Sequence, residues 1–241
     1  MAANLIVEDA EPFLRITLNR PRRGNVVTPR MMLDLPAAIA TAGPRHKAVV
    51  LRGAGSDFCL GREPKPAPGG RTDTAFDAHA AVMAPILAVY RAARQCPVPL
   101  VAAVQGRAHG FGCGLVGVCD IAITADDAQF ALPEMEKGIP PTLVMCALAD
   151  VNRKALVDMV YSCASVDAAT ALAAGIVSRC VPATALDAAL DELLERLRGY
   201  DAAQVRFIKG FAGKPGHVDP DTLSDLAGYT LATAMSRPRA R

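Results

Sequence analysis

Apolar and polar positions alternate at the start of the chain. LIVE (5–8) and FLRITLN (13–19) read as two strands joined as a hairpin across DAEP. Thr28 is then an N-cap with Pro29 at the first helical position. Met32, Leu35 and Ile39 share one face of that helix, which Pro36 is expected to kink or shorten. KAVVLRG (47–53) is a nearly continuous apolar run, the pattern of a strand buried on both faces. Three prolines and two glycines in REPKPAPGGRT (62–72) predict a surface loop. A helix follows over Phe76–Gln95, then a second buried strand in VPLVAAVQG (98–106). DIAITADD (120–127) and AQFALPE (128–134) read as short extended pieces around a turn.

From Thr142 the period changes to that of helices. LVMCALAD (143–150) and RKALVDMVYSCA (153–164) fit helices, and VDAATALAAG (166–175) ends in a glycine suited to a C-cap. SRCVP (178–182) is a last short strand. The clearest amphipathic helix is ALDAALDELLERLRG (185–199), with Leu186, Leu190, Leu193 and Leu197 on one stripe. Two further helices fit 201–213 and 219–235, separated by PGHVDP, and the basic tail SRPRAR is expected to be loose. Strands alternating with helices, followed by helices alone, indicate an α/β core with a helical C-terminal region.

Composition narrows the function. With 241 residues, 51% hydrophobic and 21% charged, the chain can bury a sizeable core. A net charge of +2 argues against bulk electrostatic binding of nucleic acid. The N-terminus has no basic leader, and no apolar run approaches the roughly 18 residues of a membrane span, so a cytoplasmic protein is expected. The seven cysteines are scattered, without CxxC or His/Cys ligand spacing. They read as reduced, buried thiols, and no metal site is expected.

Candidate chemistry concentrates in HGFGCGLVGVCD (109–120), which contains a G-x-G-x-x-G at Gly112, Gly114 and Gly117. A dinucleotide fingerprint would begin in the tight turn right after a strand. Here the strand ends near Val104, several residues earlier. Two other readings remain: close backbone packing, or a helix start whose free N–H groups face a developing oxyanion between Gly110 and Gly112. An oxyanion hole needs a second donor, and LRGAGSDFCLGRE (51–63) opens the backbone in the same way.

These two stretches carry a resemblance. AVVLRGAGSDFCLGREPK followed by PVPLVAAVQGRAHGFGCGLVGVCDIAITADDAQFALPEMEKGIP is similar to the crotonase superfamily, the enoyl-CoA hydratase/isomerase family. ITLNRPRRGN and AATALAAGIVSRCVP match its flanking signatures. The resemblance covers most of the chain. It implies a crotonase-like spiral of ββα units, with residues 1–185 as the core and 186–241 as a helical region for oligomerisation and site closure. It also implies a homotrimer or dimer of trimers, and an acyl-CoA thioester substrate. Coenzyme A enters as part of the substrate, and no other cofactor is implied. By position, the thioester carbonyl falls to the backbone N–H groups of Arg62 and Phe111.

The family's two catalytic glutamates are not both present. The first position is Gly114; the second is Glu134. Hydration uses one group on the water and one on the α-carbon, whereas a single carboxylate can move a proton from C2 to C4. The resemblance therefore favours double-bond isomerisation centred on Glu134. Hydration, decarboxylation or hydrolysis of the thioester, an acyl-CoA-binding protein without turnover, and, on the dinucleotide reading of the glycines, a nicotinamide dehydrogenase are the alternatives. His109 and Glu63 adjoin the two donors, Cys113 reads as packing, and Glu136 and Lys137 as exposed. Arg22 and Lys65 match basic positions that contact CoA in relatives.

Overall fold

The hairpin closes as β1 (Leu5–Ala10) and β2 (Phe13–Leu18), antiparallel, with Leu5 opposite Leu18 and Ala10 opposite Phe13. The structure is a computed structural model, and it describes residues 3–63, 74–213 and 219–236. After β2 come α1 (Pro29–Ala40), β3 (Ala48–Gly53) and the short α2 (Ala75–Ala78). A π-helical turn, His79–Met83, leads from α2 into α3 (Ala84–Gln95). Next are β4 (Leu100–Val104), β5 (Arg107–His109), α4 (Phe111–Gly117), β6 (Ile121–Ala125) and β7 (Gln129–Ala131). The chain continues through α5 (Thr142–Ala147), α6 (Arg153–Ser162), β8 (Val166–Asp167), α7 (Ala168–Ala174) and β9 (Arg179–Val181). Three helices follow: α8 (Leu186–Gly199), α9 (Ala202–Ala212) and α10 (Pro220–Ser236). Most of the expected proline-rich loop, part of PGHVDP and the basic tail after Ser236 lie outside the described residues.

β1 to β4, β6 and β9 form one sheet in that order, parallel from β2 onward. Side chains alternate across it, as the pleat requires. Val49, Leu51, Leu100, Ala102 and Val104 face the larger core, with α1, α3 and α4. Ala48, Val50, Val101 and Ala103 face the other side, where α8 lays down Leu186, Leu190, Leu193 and Leu197. The α8 stripe read from the sequence is thus the cover of the sheet's second face.

α1 starts where expected, with Thr28 Oγ1 accepting from the Met31 N–H at 3.1 Å. It is not shortened at Pro36; it runs on to Ala40, because Leu35 and Ile39 on either side of the proline are both anchored in the core. Gly175 caps α7 in the left-handed conformation, as expected. Sequence periodicity did not reveal β5. This three-residue strand leaves the main sheet to pair with β7, and β7 pairs with β8, giving a second sheet. The cysteines are all free, but only Cys59, Cys96 and Cys113 are buried; Cys146 is exposed because Val144 and Ala147 take the inward positions of α5. Among the described residues no helix is long and apolar enough to cross a membrane.

Candidate active site

Two backbone segments run side by side at the site. Cys59 bridges Ala108 in parallel: the Cys59 N–H donates to the Arg107 carbonyl at 3.0 Å, and the His109 N–H donates to the Cys59 carbonyl at 2.9 Å. Arg62 and Phe111 each stand three residues beyond that bridge. On its far side Arg62 faces Val27, whose backbone bonds the Gly61 carbonyl and the Glu63 N–H. In such a bridge the N–H of Arg62 itself points away from Val27, toward the β5–α4 segment. Phe111 is the first residue of α4, and the first bond of that helix runs from the Gly114 N–H to the Gly110 carbonyl. The Phe111 N–H therefore has no partner within the helix. Both residues line one cavity of about 340 Å³, together with Gly110, Glu134 and Tyr90.

The frame around the donors is polar and specific. Asn25, buried with φ +54°, donates to the carbonyls of Ala54 and Asp57 at 2.8 and 2.7 Å. Asp57 receives Arg107 side-chain bonds at 2.8 and 3.0 Å and the Arg107 N–H at 3.2 Å. Those Arg107 bonds hold the Asp57 carboxyl below the usual carboxylate range. The loop before Arg62 is thus locked to β5, the strand that leads through Gly110 into Phe111 at the start of α4.

Glu134 follows β7. His109 pairs with Ala131, and the Gly110 N–H donates to the Ala131 carbonyl at 2.8 Å, so the chain after β7 returns to the start of α4. A Cβ on Gly110 would lie 2.5 Å from Glu134 Oε1, and φ of +53° makes that position suited to glycine. Glu134 Oε2 is buried without a hydrogen-bond partner among the described residues. Burial pushes the Glu134 carboxyl up, while its own backbone N–H, Lys137 and Arg62 pull it partly back.

The other glycines of the stretch make room for the protein's own atoms. A Cβ on Gly112 would meet the Cys59 carbonyl oxygen at 2.1 Å, and one on Gly117 the Leu148 Cδ2 at 2.6 Å. A Cβ on Gly114 would meet the Tyr90 hydroxyl at 2.5 Å. The three glycines of the G-x-G-x-x-G thus allow close packing of the protein's own atoms around α4.

The remaining candidates separate. Glu63 is paired with Arg20 at 2.8 Å. His109 does not line the cavity, and burial lowers the affinity of its ring for a proton. Cys113 is buried, its thiol pushed up to about 12 by desolvation. Glu136 and Lys137 are exposed as expected, though Lys137 also lines the cavity. Arg22 is exposed in the turn Pro21–Arg23, and Lys65 lies outside the described residues. Sequence reading missed Tyr90. It follows Val89 on the face that packs α3 into the core, so its hydroxyl gave no signal of its own.

A family model for enoyl-CoA hydratase/isomerase matches residues 8–215. The chain is 30% identical over 224 residues to the Rattus norvegicus "Enoyl-CoA hydratase domain-containing protein 3, mitochondrial", covering 92% of this chain and 74% of that one. A crystal structure of enoyl-CoA hydratase from Mycobacterium smegmatis superposes with a TM-score of 0.91 at 29% identity, over 98% of this chain and 93% of that one. A Thermobifida fusca YX protein solved in complex with CoA superposes with a TM-score of 0.87 at 28% identity, over 97% and 93%. The fold is that of the crotonase superfamily. Within it, the chain belongs to the enoyl-CoA hydratase/isomerase family and is an enzyme of that type.

Proposed function

We propose that the protein binds an acyl-CoA thioester, receives its carbonyl oxygen on the N–H groups of Arg62 and Phe111, and uses Glu134 to form and quench the enolate. The observation that carries this reading is the unpartnered Glu134 Oε2 in the same cavity as both donors. Glu134 takes a proton from C2 of a 3-enoyl thioester. The electron pair moves into the carbonyl, where two N–H donors meet the developing charge. The same carboxyl then returns the proton at C4, giving the conjugated 2-enoyl thioester. Gly114 supplies no second carboxylate, so isomerisation leads.

Hydration is the second reading, favoured by the Tyr90 hydroxyl standing over Gly114. Exposed Arg22, with Lys65, is assigned to the phosphates of CoA. The C-terminal region is assigned to assembly as a trimer or dimer of trimers. Ile208, Tyr229, Leu231 and Met235 are large, apolar and exposed on α9 and α10, a surface suited to a second copy. Near-ultraviolet absorbance tests the chemistry. A rise from 3-enoyl-CoA supports isomerisation; a fall from 2-enoyl-CoA with 3-hydroxyacyl-CoA as product supports hydration. Silence on both substrates overturns the enoyl-CoA reading.

A further inference from the structure

The Tyr90 side chain is fully buried, and its hydroxyl has no hydrogen-bond partner among the described residues. The ring is held in place, stacked on Phe111 with centroids 6.1 Å apart and planes 16° from parallel. It lines the cavity that also holds Glu134 and the two backbone donors. A phenol that only filled core space would be better replaced by phenylalanine, because a buried donor without an acceptor is unfavourable. Its location is specific: the hydroxyl occupies the volume beside Gly114, one helical turn beyond Phe111, or about 5 Å along α4.

We propose that Tyr90 is a specificity-determining residue of this site, whose hydroxyl donates a hydrogen bond to an oxygen on C3 of the acyl group, beside Gly114 where the chain offers no carboxylate. The assignment rests on the acyl-CoA reading of the cavity. With the thioester carbonyl fixed at Phe111, C3 is two carbons farther along the acyl chain, and the Tyr90 hydroxyl is the polar atom one turn farther along the helix. Burial, with Cys113, Cys146 and Glu134 nearby, raises the phenol well above its ordinary value, outweighing the pull of Arg62. The group is therefore neutral at pH 7 and acts as a donor. Glu134, across the same cavity, supplies the acceptor. The pair is complementary: an oxygen at C3 takes the phenol proton's hydrogen bond, while the carboxylate handles protons on carbon.

The test compares binding of 3-hydroxybutyryl-CoA and butyryl-CoA to the full chain and to Tyr90→Phe, by calorimetry, with thermal unfolding of both proteins. The wild type is expected to bind the 3-hydroxy thioester about tenfold more tightly. In Tyr90→Phe the preference disappears, the affinity for butyryl-CoA is kept, and the melting temperature is equal or higher. Equal wild-type affinities, or a preference that survives in Tyr90→Phe, overturn the assignment while leaving the acyl-CoA reading standing. Failure of the wild type to bind either thioester overturns both.

Discussion

Gly110 and Glu134 share one volume: a methyl group on the first would lie 2.5 Å from Oε1 of the second. The carboxylate is placed by the absence of a side chain. Gly110→Ala is expected to displace Glu134 and to strain a backbone held at φ +53°. The expected loss is roughly 1–3 kcal/mol of stability from the strain. Activity should fall at least about 100-fold, the scale of a lost general base. Chemical denaturation and kcat measured on the same preparation check both.

Glu134→Gln separates chemistry from folding. It keeps the shape and removes the charge that burial disfavours. Enoyl-CoA turnover is expected to fall by about 10²–10⁴, with stability at neutral pH unchanged or raised. Full activity in this variant would end the case for Glu134 as the base.

The pH dependence has a definite sign. As the proposed base, Glu134 would work ionised, so kcat/KM is expected to be lost as pH falls through its pKa. Burial lifts that pKa, so the acid limb should lie above the ordinary glutamate range. Lys137 pulls it down. Lys137→Met is therefore expected to move the acid limb to higher pH, and an unmoved or lowered limb would contradict the assignment.

Asp57 tests the frame rather than the chemistry. Its carboxyl is held low by Arg107, so its contribution is present above the unfolded value and is lost as pH falls through the folded one. Asp57→Ala also leaves the Arg107 bonds unmade. The expected loss is roughly 1–2 kcal/mol at pH 7, reduced because Arg107 is half exposed. Urea titrations at pH 7 and in acid should show the gap between wild type and variant narrowing as the acid end is approached.

Gly114 and Tyr90 should be coupled. Alanine at 114 would place Cβ 2.5 Å from the tyrosine hydroxyl but 3.4 Å from its Cζ. Gly114→Ala alone is expected to destabilise by roughly 1–3 kcal/mol. Combined with Tyr90→Phe, most of that loss should be recovered, and a double-mutant cycle reads the coupling directly. Additive effects would place the hydroxyl elsewhere.

Local pattern was enough for the elements whose residues interact with near neighbours. The hairpin, the buried strands β3 and β4, the Thr28 cap and the leucine stripe of α8 follow from period and capping chemistry, which act over a few residues. The crotonase-like motifs likewise brought Arg62, Phe111 and Glu134 forward. Tertiary structure decided what those residues meet. The Cys59–Ala108 bridge brings together the segments that carry Arg62 and Phe111, 49 positions apart in the chain. β5 is too short to show a period, and it exists because β7 pairs with it. Tyr90 looks like core in any helical projection; only packing of α3 against α4 turns its hydroxyl toward the vacant side of Gly114. A hydrogen-bonding group acquires a function from the partners it is given or denied, and those partners come from distant parts of the chain.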